Sequence, residues 1–229
     1  MALDIAAGTS LNFAPDAYLI VQGANLTARG TAQAPILLNG IGQNLWKGLY
    51  VLESPAPSAL SHVTIGGTGF LRAGVLRLTG GVTFYRADVD LDHVSFEHSI
   101  AEDALNIVQS SFSLENVVFA NARSDAFDSD FAQGAIVATS FENIGGDGLD
   151  TSGSDVVARN VTFSHIGDKA ISAGEKSRVS IDGALITQIS TGIVSKDGSQ
   201  VVARAVDVSE FELFAAMAYK KRVSTVMPA

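Results

Sequence analysis

One apolar position returns every 22 residues through the middle of this chain: Leu105, Phe127, Leu149, Ile171 and Ile193. Four equal steps in succession leave little choice of fold. A unit of 22 residues is too short to enclose its own core. Its apolar face must be covered by the units before and after it, so the repeat predicts a solenoid. Two more columns run beside the first. One is Phe96, Phe119, Phe141, Phe163 and Leu185; the other is Leu114, Ile136, Ala158, Ser180 and Val202. Three apolar columns per period imply three short strands per coil, with successive coils stacked in parallel ~4.8 Å apart so that like residues lie over like. No stretch carries a 3.6-residue apolar stripe with caps, so the class is all-β.

The N-terminal part speaks the same language less regularly. Leu11, Phe13, Leu19, Val21, Leu26 and Ala28 sit at period-two spacings broken by Ala14-Pro15-Asp16 and Gly23. Further strands are expected at 35–38, 45–51, 61–65, 74–78 and 82–84, with the two-proline stretch 53–58 as a turn. The whole of 1–229 therefore reads as one β-helix domain: irregular coils over 1–60, regular coils over 61–209, and a last coil or cap over 210–229. Trp46, the sole tryptophan, is read as a packing residue at the edge of a coil. His98, Asn121, Asn143, His165 and Thr187 follow the Phe column by two residues and predict a polar ladder at a bend. His62 and His93 lack ligand-spaced partners and read as turn or surface residues. The basic cluster Lys220–Arg222 would blunt an exposed strand edge. The N-terminal end has no such device, which predicts a longer native chain, neighbouring domains or coils, or self-association through the solenoid ends.

Charge and composition remove several functions. The net charge of −9 argues against nucleic-acid binding, which needs a basic face for phosphates. Cysteine is absent, so the fold uses no disulfides and the redox compartment stays open. No apolar run reaches the roughly 18 residues of a membrane helix. The opening MALDIAAGTSLNFAP has neither a basic n-region nor a long apolar h-region, so either the protein is cytoplasmic or, as the uncapped N-terminal end favours, Met1 stands in place of upstream sequence. A serine-nucleophile elbow is absent, and the glycine-rich pieces precede strands, which disfavours phosphate cradling.

Two acidic columns share the period. Asp103, Asp125 and Asp147 lead to Lys169, and Asn106, Asp128 and Asp150 lead to Ser172, with Asp130 on the same turn as Asp128. Carboxylates ~5 Å apart raise one another's pKa. A cation relieves that repulsion, and oxygen-rich Asp/Asn clusters suit Ca²⁺; so does Lys169, which ends its own column. The plainer account is that Asp before Gly or Ala at a repeated turn caps backbone N–H groups through Asx-turns, so duplicating a coil duplicates the Asp.

The segment AGTSLNFAPDAYLIVQGANLTARGTAQAPILLNG with LWKGLYV, and the block GGDGLDTSGS…NVTF…IGDKAISAGEKS…TGIVSKDGS, resemble the right-handed parallel β-helix of the pectin-lyase-like superfamily. Within it they are similar to uncharacterised bacterial secreted or surface β-helix repeat proteins. The resemblance implies an extracellular or cell-surface location. It leaves activity open, since the same coil hosts lyases, hydrolases, epimerases, adhesins and stalks. In lyase-type members, acidic residues on adjacent coils bind Ca²⁺, which neutralises a uronate carboxylate while an Arg or Lys abstracts the C5 proton. Carried over, Asp125, Asp128, Asp147 and Asp150 would hold Ca²⁺, and Lys169 or Lys176 would be the base. The Asp-Pro-His-Asp of alginate epimerases and the Arg-x-Lys of polygalacturonases are missing, and no arginine stands convincingly beside the acidic columns in the sequence. The coils between Leu91 and Ser209 insert almost nothing that could wall a groove. The expected function is a non-catalytic scaffold or polysaccharide-binding module of an exported bacterial protein. The alternative is a Ca-assisted polysaccharide lyase or epimerase-like enzyme acting on an acidic glycan.

Overall fold

In the computed structural model, which describes residues 1–220, the apolar columns close into a parallel β-solenoid of about nine turns with ~23 residues per coil. Each coil contributes one strand to each of three faces. Face A is built from Leu19–Gln22, Leu49–Leu52, Gly80–Tyr85, Asp103–Val108, Asp125–Asp130 and Leu149–Ser152, then by 169–174, 191–196 and 214–219. Face B runs from Ala2–Ala6 and Asn25–Arg29 through Ser111–Glu115 and Gln133–Val137 to Gln200–Val208. Face C runs from Ser10–Phe13 and Ile36–Gly40 through Val118–Ala122 and Ser140–Ile144. Among the described residues no helix is long and apolar enough to cross a membrane.

The face A column is the expected one: Leu105, Phe127, Leu149, Ile171 and Ile193 are successive register partners. The other two columns slip by one residue after the fourth coil. Phe163 pairs with Ile186, while Leu185 pairs with Thr162 and is 49% exposed. Ala158 continues into Ile181 and Ala203, and Ser180 and Val202 follow Val157. The cause is local. The corner at Glu175–Lys176 holds two residues of positive φ, 55° and 67°, where the preceding coil has Gly153 alone. That extra residue shifts faces B and C. The register shift between Ile166 and Lys169 takes it back before face A is reached.

Every coil turns three corners, and most corner residues lie in the left-handed region. His98, Asn121, Asn143 and His165 have φ of 55°, 57°, 54° and 56°, and the column continues in Gln188, one residue beyond Thr187. Asn and His tolerate this conformation better than bulky or β-branched residues. It also aims the corner N–H at the next coil, where His98 N–H donates to Ala120 O at 3.1 Å and Asn116 N–H to Val137 O at 3.1 Å. Asn143 Nδ2 donates to Asn121 Oδ1 at 3.3 Å, one rung of the anticipated ladder. His62 and His93 are corner residues too, with rings stacked 4.6 Å apart.

Inside, Phe96, Phe119, Phe141 and Phe163 form a continuous stack with centroid spacings of 5.0, 4.9 and 4.5 Å. Trp46 is fully buried, stacks on Phe13 at 4.0 Å, and donates from Nε1 to Gly66 O at 2.8 Å. One element departs from the solenoid. The expected coil strand at 74–78 is half of an antiparallel hairpin, Leu71–Ala73 with Leu76–Leu78, turned at Gly74 with φ of 59°. Its Leu71, Ala73 and Leu78 pack on Tyr50, Leu52 and Tyr85, outside face A. This insertion lengthens the step from Leu49 to its partner Val82. At the far end the last strand, Phe211–Tyr219, leaves Phe211, Leu213 and Phe214 exposed. Of the basic cluster, Lys221 and Arg222 lie outside the described residues, as does the rest of the expected cap beyond Lys220.

Candidate functional site

The acidic columns stack on face A in the register read from the period. Asp103 pairs with Asp125; Asn106, Asp128, Asp150 and Ser172 are successive partners; Asp130 lies between Val108 and Ser152 in a third column. The first column continues through the carboxylates themselves. Asp147 N–H donates to Asp125 Oδ1 at 2.8 Å, and Lys169 N–H donates to Asp147 Oδ1 at 2.9 Å. These aspartates therefore cap N–H groups, but of the next coil and not of their own turn. Stacking brings the following coil's donor to the carboxylate, so no local Asx-turn is needed.

The two columns converge sideways. Carboxylate oxygens of Asp125, Asp147 and Asp150 lie within 4.8 Å of one another, and these three could hold a metal ion. Asp128 stands next to them with a different environment. Its Oδ2 accepts from Asn106 Nδ2 at 3.3 Å, while its buried Oδ1 has no hydrogen-bond partner. Asn106 also donates to Asp130 Oδ2 at 3.3 Å. Asp103 and Asp147 are only 4% and 5% exposed.

Burial and like charge act in the same direction here. Burial first, then Asp103, Asp130, Asp150 and Asp125, push Asp128 up to about 9. Burial and the charges of Asp125 and Glu102 push Asp103 up to about 8. Asp147 is raised by burial to about 6, the Lys169 charge holding it below the other two. Burial also raises Asp125 and Asp130, against the N–H of Asp147 and the amide of Asn106 respectively. At neutral pH the cluster therefore mixes neutral carboxylic acids with carboxylates, the state of a site short of positive charge.

Two ammonium groups supply part of that charge. Lys169 Nζ lies 3.2 Å from Asp147 Oδ1 and also pairs with Asp168. Burial alone would lower its pKa, but these two carboxylates prevail and hold it raised. The other is Lys196, which the sequence reading missed. Its Nζ donates to Ser172 Oγ at 2.8 Å and lies 3.6 Å from Asp150 Oδ1. Extending the Asp130 column by further 22-residue steps, through Ser152 and Gly174, would have reached it. Lys176 stands on the exposed corner beyond this face and makes none of the cluster's hydrogen bonds or ion pairs.

Upstream, the hairpin covers face A over Tyr50, Leu52 and Tyr85, so the open part of the face begins near Asp103. A cavity of about 580 Å³ lies between the hairpin and the corners that lead into Asp103 and Asp125, lined among others by Arg72, Arg77, Glu102, Arg123 and Ser124.

No protein-family model matches the chain, and no curated protein matches it. Among solved structures, the chain is similar to the catalytic domain of a GH87 α-1,3-glucanase in complex with tetrasaccharides, at 11% identity and a TM-score of 0.29. The match covers 97% of this chain, which spans 64% of that one. The chain is a parallel β-solenoid of about nine turns.

Proposed function

We propose that this chain is a non-catalytic, glycan-binding β-helix module of an exported bacterial protein, which holds an acidic polysaccharide on face A through Ca²⁺ carried by Asp125, Asp147 and Asp150. The observation that carries the reading is the mutual approach of those three carboxylates within 4.8 Å. Ligands on opposite sides of a Ca²⁺ ion, each 2.3–2.6 Å from it, lie at most ~5 Å apart, so the spacing fits one ion. Three side chains leave about half of a six- to eight-fold oxygen shell for water and saccharide oxygens. The partnerless Oδ1 of Asp128 marks an uncompensated acceptor beside the same set.

The alternative, a Ca-assisted lyase or epimerase, needs a base that can shed its proton. Lys169 bridges Asp147 and Asp168 with its pKa raised, and Lys196 is committed to Ser172 and Asp150. Both serve as counter-charge in this geometry, which favours binding over proton abstraction. The test is thermal unfolding of the full chain in EDTA, Mg²⁺ and millimolar Ca²⁺. At a hundredfold excess over Kd, Ca²⁺ stabilises by ~2.7 kcal/mol, or about 5–10 °C in Tm for a chain of this size. D147N/D150N is expected to lose the shift. A wild-type Tm indifferent to Ca²⁺ sinks the cation reading. Steady release of unsaturated uronate from pectate, alginate or glycosaminoglycans, lost in D147N, replaces the module with an enzyme.

A further inference from the structure

The cavity beside the hairpin collects positive charge in a chain whose net charge is −9. Arg72 and Arg77 are direct cross-strand partners in the hairpin, and Arg123 comes from the corner that leads into Asp125. Like charges placed opposite each other weaken a strand pair. Here nothing offsets them: among the described residues none of the three guanidiniums makes an ion pair or side-chain hydrogen bond, and the cavity's one carboxylate, Glu102, pairs with none of them. The hairpin is held instead by Leu71, Ala73 and Leu78 on Tyr50, Leu52 and Tyr85, so the arginines are not needed to dock it. Phe70 lines the same recess, with the Arg72 guanidinium 4.9 Å from its ring centroid. That contact orients the guanidinium and offers an apolar plate beside it.

A guanidinium fork matches the two oxygens of a carboxylate or sulfate. Glu102 directly precedes Asp103, and Ser124 directly precedes Asp125, so the recess adjoins the first rungs of the acidic column. We infer that Arg72, Arg77 and Arg123 form an oxyanion subsite, which takes a carboxylate or sulfate group of an anionic glycan lying along face A. The oxyanion site stands on the recess alone; the glycan as its carrier rests on the function proposed above. A polyanion would then meet two unlike devices in sequence, one binding its acidic group directly and the other through a cation.

The experiment is calorimetric titration of the full chain in EDTA at low ionic strength. The probes are tetragalacturonate for carboxylate, a chondroitin sulfate tetrasaccharide for sulfate, and maltotetraose as the neutral control. Binding of either charged probe with maltotetraose silent supports the site, and the stronger of the two names the group. R72Q/R77Q and R123Q should each weaken binding about tenfold, as expected for loss of charge-assisted bidentate contacts. R72K/R77K keeps the charge while losing the fork, and should recover part of the affinity; its folding is checked by Tm. Equal affinity in wild type and R72Q/R77Q, or no binding of either charged probe in EDTA, overturns the inference. Ca²⁺-dependent glycan binding with neither charged probe bound in EDTA removes the subsite while leaving the cation-mediated reading in place.

Discussion

Replacing Asp128 with asparagine should stabilise the protein, and by an amount that depends on pH. The Asp128 carboxyl titrates at about 9 in the fold against an ordinary value of 3.8. The sign follows from proton counting. Between those two values the folded chain keeps a proton that the unfolded chain releases, so stability is full below pH 3.8 and declines as pH rises towards 9. Each pH unit in that window is worth ~1.36 kcal/mol, which gives a ceiling of about 4 kcal/mol at pH 7. Partial solvent access and the shared titration of the neighbouring aspartates cut this to roughly 2 kcal/mol. Asparagine carries no such cost. Its side-chain oxygen can still accept from Asn106, and its amide takes the place of the partnerless Oδ1. Urea unfolding in EDTA should therefore show D128N and wild type alike at pH 4. At pH 7 D128N should have the higher midpoint, equivalent to about 4–8 °C in Tm, with unchanged m. Both proteins should lose stability as pH rises from 5 towards the raised pKa values of Asp147 and Asp103, and wild type should fall more steeply and as far as about pH 9, because it alone carries Asp128. A gain equal at pH 4 and pH 7, or a loss at pH 7, would refute the claim that Asp128 is held neutral by its surroundings.

Lys196→Met should destabilise by ~1–3 kcal/mol at pH 8, because it strips Asp150 of its nearby cation inside a crowded acidic face, and by less at pH 5; chemical unfolding at the two pH values measures the difference. Gly148→Ala places a methyl 2.7 Å from both Ala170 O and the Phe163 ring, so Tm should fall by several degrees for ~1–3 kcal/mol of overpacking, with Ca²⁺ affinity preserved if the chain still folds.

How much of this could be read from residues alone depended on whether a feature shares the coil period. The Leu105–Ile193 column was legible because the extra residue at Glu175–Lys176 is removed again before Thr191, the register partner of Lys169. The Phe column failed at Leu185 because it lies between those two events, where the register is displaced by one. The hairpin reads as a coil strand in the sequence because its alternating apolar residues and bounding glycines are those of a coil strand; only the partner differs, and a partner is not written in a strand's own composition. The acidic cluster was foreseen as columns because carboxylates repeat with the coil. The sideways approach of Asp150 to Asp125 and Asp147 depends on lateral geometry that the period does not encode. Arg72, Arg77 and Arg123 share no period at all, so no count of spacings could bring them to one recess.

The cancelling pair of length changes has a consequence for how such a surface can grow. A corner that gains a residue and a corner that gives one back act as a phase error and its correction, placed so that only face A never sees the error. Ladders of like side chains demand constant phase, and the aspartates occupy the face that keeps it. Copying one whole 22-residue unit from this region would add a rung to the ladder without disturbing those above and below. A single-residue insertion at the Gly146 corner would instead break the 22-residue spacing of the rungs on either side and would have to be absorbed as a bulge, as the irregularity between Ile166 and Lys169 is. Length variation in this chain should thus be tolerated in whole coils, or in compensated pairs across faces B and C, and selected against anywhere that would dephase face A.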